Sequence, residues 1–158
     1  MEEQNLKELI KQGFAAMKAG SKVAEQATDE IQSDAKNEKL KELLEQGNEH
    51  SKIWAERIDK ALEEAGGDAD QKNEILEAHY RVSKEIRAQA SDDDTRDLGI
   101  ITSGQLALHY WIAAFGTQVS YASAAGLNDA KQHMQACLAE AKQADEEHTK
   151  IAESILAS

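Results

Sequence analysis

Asp145 and His148 stand three residues apart, a spacing that sets a carboxylate and an imidazole on one face of a helix. Helical bundles use that spacing to hold metal ions. Both residues fall on the apolar stripe of the last helical segment, where an unpaired charge is costly. A second reading is a solvated pair near the bundle end, bonded to a lysine or a backbone carbonyl, because Glu146, Glu147 and Lys150 make this turn wet. A complete two-metal site draws about four carboxylates and two histidines from the long helices of a bundle. The residues available for a rearranged site, and the metal-ligand candidates, are Glu49, His50, Glu140, Asp145 and His148.

Against such a site stands the stretch 98–128, LGIITSGQLALHYWIAAFGTQVSYASAAGLN, which has no Asp, Glu, Lys or Arg. A helix there offers only His109 as a conventional ligand. His109, Tyr110 and Trp111, with His79 from another segment, are instead candidates for a small-ligand pocket between helices. His79 also reads as a hydrogen-bonded packing residue, and His133 as a surface residue. Cys137, the single cysteine, rules out an intramolecular disulfide and reads as a small buried residue. There is no glycine-rich phosphate loop, nucleophile elbow or cysteine pair.

The elements that must position these residues are helical. The 158 residues contain no proline and few aromatics, with abundant Ala, Glu, Lys and Leu, the composition of long helices. A length of this order suits one domain spanning residues 1–158. The formal net charge of −12 disfavours nucleic acid and anionic membrane surfaces as partners. The acidic, amphipathic start, MEEQNLKELI, is unlike a secretion signal, and a cytoplasmic location is expected.

Periodicity divides the chain into five helices. The first covers residues 5–33, with Leu6, Leu9, Ile10, Gly13, Met17, Gly20, Ala24, Ala27 and Ile31 on one face. Gly13 and Gly20 each cost about 1 kcal/mol in a helix interior relative to Ala, so close helix contact is expected along this face. The second covers 38–65, with Leu40, Leu44, Ser51, Trp54, Ile58 and Leu62 inward. A break at Gly66-Gly67-Asp68-Ala69-Asp70, whose acids suit a cap, precedes a shorter helix over 71–90 with Ile75, His79, Val82 and Ile86 inward. Acids at 92–94 precede the uncharged helix, which ends at Gly126. Too polar for lipid, that helix is expected to be enclosed by protein. Asn128-Asp129 caps a last helix over 129–156, with Met134, Leu138, Ala141, Asp145, His148, Ala152 and Ile155 inward. The expected fold is an all-α antiparallel four-helix bundle with an additional shorter helix between its second and third members.

At the uncharged helix the sequence becomes recognisable. His109-Tyr110-Trp111-Ile112-Ala113-Ala114-Phe115-Gly116-Thr117 resembles the His-Tyr-Glu-Ile-Ala-x-Tyr-Gly-Thr signature of the YciE/YciF-like branch of ferritin-like proteins. Asn37-Glu38-Lys39-Leu40, Glu56-Arg57-Ile58-Asp59, Ala124 to Leu127 and Leu138-x-Glu140-x-Lys142-x-x-Asp145 resemble further pieces of that family, in the same order. The resemblance implies a ferritin-like four-helix bundle, bacterial and linked to stress responses, with a di-iron centre in the family. Trp111 stands where the family has its Glu, Leu108 where it has an acid, Ser21 near a first-helix Glu, and Glu49-x-x-Lys52 where it has Glu-x-x-His or Glu-x-x-Glu. Leu and Trp cannot ligate iron, and apolar packing in place of buried charge is often stabilising.

Three functions follow as expectations. The first is a non-enzymatic, stress-associated ferritin-like protein with a degraded di-iron site and no cofactor, acting through binding or as a homodimer. The second is an iron- or manganese-binding oxidase or iron-handling protein with a rearranged site. The third is a small-ligand-binding bundle.

Overall fold

The computed structural model describes residues 2–67 and 70–158. Among them are five helices and no strand: α1 (Glu3–Asp34), α2 (Glu38–Glu64), α3 (Glu74–Gln89), α4 (Asp93–Ala124) and α5 (Asn128–Leu156). Cross-helix bonds give their directions. Gln32 meets Asn48 and Lys18 meets Asp59, so α1 and α2 are antiparallel. Trp54 meets Glu140 and Glu64 meets Ala130, so α2 and α5 are antiparallel. Gln105 with Thr149 and His109 with Asp145 give the same relation for α4 and α5. The four long helices close a square in which α2 and α4 run the same way across the diagonal. The connection that allows this carries α3, which packs on α1 and α4.

Helix ends are fixed by named side chains. Asn37 accepts from Leu40 N and Asp92 from Thr95 N, each capping its helix start. Asp97 is buried, and its two carboxylate oxygens accept from Lys36 N (2.9 Å) and Asn37 N (2.6 Å), tying α4 to the α1–α2 turn. At the end of α4, Gly126 takes φ 74°, and Leu127 N donates back to Ala122 O, the left-handed termination expected there.

Several expectations are corrected. The start of α3 is capped by Asn73, whose side chain accepts from Leu76 N, rather than by the acids before it; Asp68 and Ala69 lie outside the described residues. Asn128 is not a cap but the first residue of α5, and the N–H of Ala130 is met by the Glu64 carboxylate from the end of α2. The inward face of α3 is Leu76, Ser83 and Arg87, while Ile75 and Val82 are 68% and 47% exposed. Polar anchors set this rotation: Asn73 also donates to Ala16 O and Tyr110 Oη, and buried Arg87 pairs with Asp34 and Glu30.

Nor is α4 enclosed. Thr102, Leu106, His109, Ala113, Thr117, Ser120 and Ala124 form an exposed stripe without a charge. Thr102, Thr117 and Ser120 return their hydroxyls to carbonyls of their own helix, which lets an uncharged face meet solvent. By length and composition alone α4 is apolar enough to cross a membrane; here it packs against α1, α3 and α5.

Buried side chains form two clusters. One, around Phe14, Trp54, Ile58, Trp111, Phe115 and Met134, fills one end of the bundle. The other, around Ala35, Leu40, Ile100, Ile101 and Ile155, fills the opposite end. The glycines of α1 admit close neighbours as expected. A Cβ on Gly20 would stand 2.5 Å from Asn73 Nδ2 and 2.8 Å from Leu76 Cδ1, and one on Gly13 would strike Gln118.

Candidate functional site: a cavity between the two cores

Between the two apolar clusters lies a cavity of about 160 Å³ to which all five helices contribute. Ala24, Thr28 and Ile31 come from α1, and Leu44, Asn48, His50, Ser51 and Trp54 from α2. His79, Tyr80 and Ser83 come from α3, Ser103, Gly104, Ala107, Leu108 and Trp111 from α4, and Glu140, Ala144, Glu147 and His148 from α5.

The metal-ligand candidates do not converge there. Glu49 is exposed on the outer α1–α2 face, paired with Lys52 at 2.7 Å, and it shares that face with Ser21. His50 reaches the cavity but stacks on Trp54, with ring planes 11° apart. Glu140 lies at the cavity edge, where Oε2 accepts from Trp54 Nε1 at 2.7 Å and from Arg57 Nη1 at 2.8 Å. Burial acts to raise its carboxyl, but the hydrogen bonds from Arg57 and Trp54 outweigh burial and hold it below the ordinary range.

Asp145 and His148 diverge despite their spacing. Asp145 turns to the outer edge of α4, accepting from Gln105 and lying 3.1 Å from His109 Nε2. His148 turns inward and is 6% exposed. Its Nδ1 lies 2.7 Å from Ala144 O, so the neutral ring donates there and leaves Nε2 as an acceptor. Burial lowers its proton affinity, against the opposing pull of the Ala144 carbonyl and Asp145. Among the described residues, no three His, Cys, Asp or Glu side chains form a group that could hold a metal ion.

The four pocket candidates also divide. Trp111 and His79 line the cavity, and burial lowers the proton affinity of His79. Tyr110 instead accepts from Asn73 Nδ2 at 2.7 Å, away from the cavity. The His109 side chain is 66% exposed on the outer face. Cys137 is buried, its thiol pushed up to about 11 by burial, with Arg57 partly opposing, so it is protonated at neutral pH.

Two small residues of α4, the first of which marks close helix approach by its type alone, define the cavity most sharply. Gly104 leaves room for His148: a Cβ there would stand 2.9 Å from His148 Nε2. Ser103 is 4% exposed, and its Oγ has no hydrogen-bond partner. Arg57, which engages Glu140, is separated from it by 83 residues, so nothing local in the sequence pairs the two.

These features define a class: an all-α bundle whose interior holds an aromatic-walled cavity with hydroxyl and imidazole groups and one carboxylate engaged by an arginine. Residues 5–158 match the family described as Domain of unknown function (DUF892), and the chain belongs to that family, the YciE/YciF-like proteins. Its fold is similar to that of the Escherichia coli stress protein YciF, with a TM-score of 0.92, 22% identity, and 97% of this chain and 98% of that chain covered. It is also similar to YcfI from Rhodopseudomonas palustris, with a TM-score of 0.86, 21% identity, and 91% and 92% covered. No curated protein matches the sequence significantly.

Proposed function

We propose that this chain is a ferritin-like, stress-associated bacterial protein of the cytoplasm that works without catalysis, by binding, and that its bundle has lost a di-metal centre. The observation that carries this reading is the engagement of Glu140. Of the carboxylates raised as ligands, it is the one at the cavity, and Arg57 and Trp54 both hold the same oxygen. A guanidinium beside a carboxylate repels a metal cation, and the two donors take up the oxygen that is engaged.

The other donors do not make up the set. Leu108 and Trp111, both nearly buried, occupy the α4 positions where the resembled family carries acids, and Glu49 and Asp145 sit outside the cavity. His148 is left as an imidazole without a carboxylate partner inside. A di-iron centre does not fit these residues. That YciF is a stress protein supports the stress association.

Self-association belongs to the same reading. On a chain of net charge −12, the stripe from Thr102 to Ala124 is a face on which two copies meet without like-charge repulsion. Sedimentation is expected to give a homodimer, and Ala113→Glu a monomer; a monomeric wild type would remove this part of the reading.

The test of the main reading is oxygen uptake during Fe(II) oxidation. Oxidation no faster than in buffer is expected. Protein-dependent acceleration that disappears in His148→Ala would favour a rearranged oxidase.

A further inference from the structure

We propose that the central cavity binds a small neutral aromatic alcohol, of which phenol is the simplest, its hydroxyl accepting from Ser103 Oγ and donating to His148 Nε2. This rests on the reading that the cavity holds no di-metal centre.

Size and walls point to an aromatic ring. The cavity, about 160 Å³ and partly open to solvent, is close in size to the roughly 150 Å³ enclosed apolar cavity known to accommodate benzene. Trp54 and Trp111 both line it, their ring centroids 6.2 Å apart and planes 57° apart, with Leu108 beside them. Such walls offer the faces and edges against which another ring packs.

The polar groups point to one hydroxyl. Ser103 is the sharper observation: Thr102, Thr117 and Ser120 on the same helix bond back to carbonyls at i−4, whereas the buried Ser103 Oγ has no partner among the protein groups around it. A buried hydroxyl without a partner is unfavourable, so a ligand that supplies one gains from it. His148 Nε2 stands over the adjacent Gly104, and because Nδ1 donates to Ala144 O it is the acceptor nitrogen of the neutral ring. The two groups offer one donor and one acceptor, the complement of a single hydroxyl.

Charge restricts the ligand to a neutral molecule. Glu140 is engaged by Arg57, and Glu147 pairs with Lys150 at 2.9 Å. The remaining titratable groups lining the cavity are His50, His79, Tyr80 and His148. No lining charge is left to compensate an ion stripped of its water.

The experiment is calorimetric titration of the full chain with phenol, benzene and benzoate in the presence of a chelator, with iron content measured on the same preparation. Saturable one-to-one binding of phenol is expected, with benzene about tenfold weaker and benzoate not bound. Ser103→Ala should weaken phenol about tenfold and leave benzene unchanged. Ala107→Leu, which fills the cavity, should abolish both. Stoichiometric iron would overturn the functional reading and this proposal with it. Iron-free protein that gives no saturable heat with phenol, or binds it equally well in wild type and Ser103→Ala, would overturn the ligand assignment alone.

Discussion

Arg57 Nη1 lies 2.8 Å from Oε2 of Glu140, and Trp54 Nε1 lies 2.7 Å from the same oxygen. The pair joins α2 to α5 beside the cavity, with both side chains largely shielded from solvent. Arg57→Met should therefore destabilise the fold by about 2 kcal/mol at pH 7, the scale of a hydrogen bond to a charged group. The folded carboxyl titrates below its ordinary 4.5, so its contribution is complete above that value and is lost as the pH falls through the folded one. Urea denaturation across the acid range should show the variant losing stability less steeply than wild type. Parallel curves would remove the pair from the account of acid sensitivity.

Asp97 acts on stability at a distance from the cavity. Its oxygens meet the N–H groups of Lys36 and Asn37, and an amide presents one acceptor oxygen where the carboxylate presents two. Asp97→Asn should cost about 2 kcal/mol, and Asp97→Ala more, through part-buried N–H groups left unpaired. The urea midpoint should fall with its slope unchanged.

Two helical glycines should respond to alanine with opposite signs. At Gly47 nothing lies within 4 Å of a new Cβ, so Gly47→Ala should raise stability by up to about 1 kcal/mol. At Gly20 a Cβ would press on Asn73 and Leu76, which anchor α3, and Gly20→Ala should cost about 1–3 kcal/mol. Thermal melts of the two variants, compared with wild type, decide this.

His148 sets a neutral-to-acid dependence. Burial holds it below the ordinary 6.5, so below that pH the unfolded chain takes up the proton first. Its contribution is full above about 6.5 and declines as the pH falls beneath it. His148→Gln should flatten the stability profile in that range without abolishing the slope, because half-buried His79 is shifted in the same direction. An NMR titration placing His148 at or above 6.5 would contradict the assignment.

Much of the fold was legible because five helices of strong period are separated by Gly, Asn and Asp breaks. Gly126 and Asp92 behave as their types dictate, and the small residues Gly13, Gly20 and Gly104 mark close contacts. The face of α3 was not legible, because Asn73 and Arg87 set its rotation through bonds to Ala16, Tyr110 and Asp34, partners far away in sequence. An uncharged helix was read as an enclosed one, yet threonine and serine hydroxyls can satisfy themselves on their own backbone. The cavity was half legible: Trp111, His79 and His148 were marked by type, whereas Ser103 gains meaning only from the partner it lacks.

Whether the interior carboxylate is committed to Arg57 is tested most directly by metal content. Protein purified without a histidine tag, loaded anaerobically with Fe(II) and desalted, would be measured by elemental mass spectrometry beside Arg57→Met and His148→Ala. Iron and manganese well below stoichiometric in the wild type are expected, with the fold intact by circular dichroism. One or more equivalents of iron or manganese in the wild type, lost in His148→Ala, would contradict the proposal and place a rearranged metal centre in the bundle.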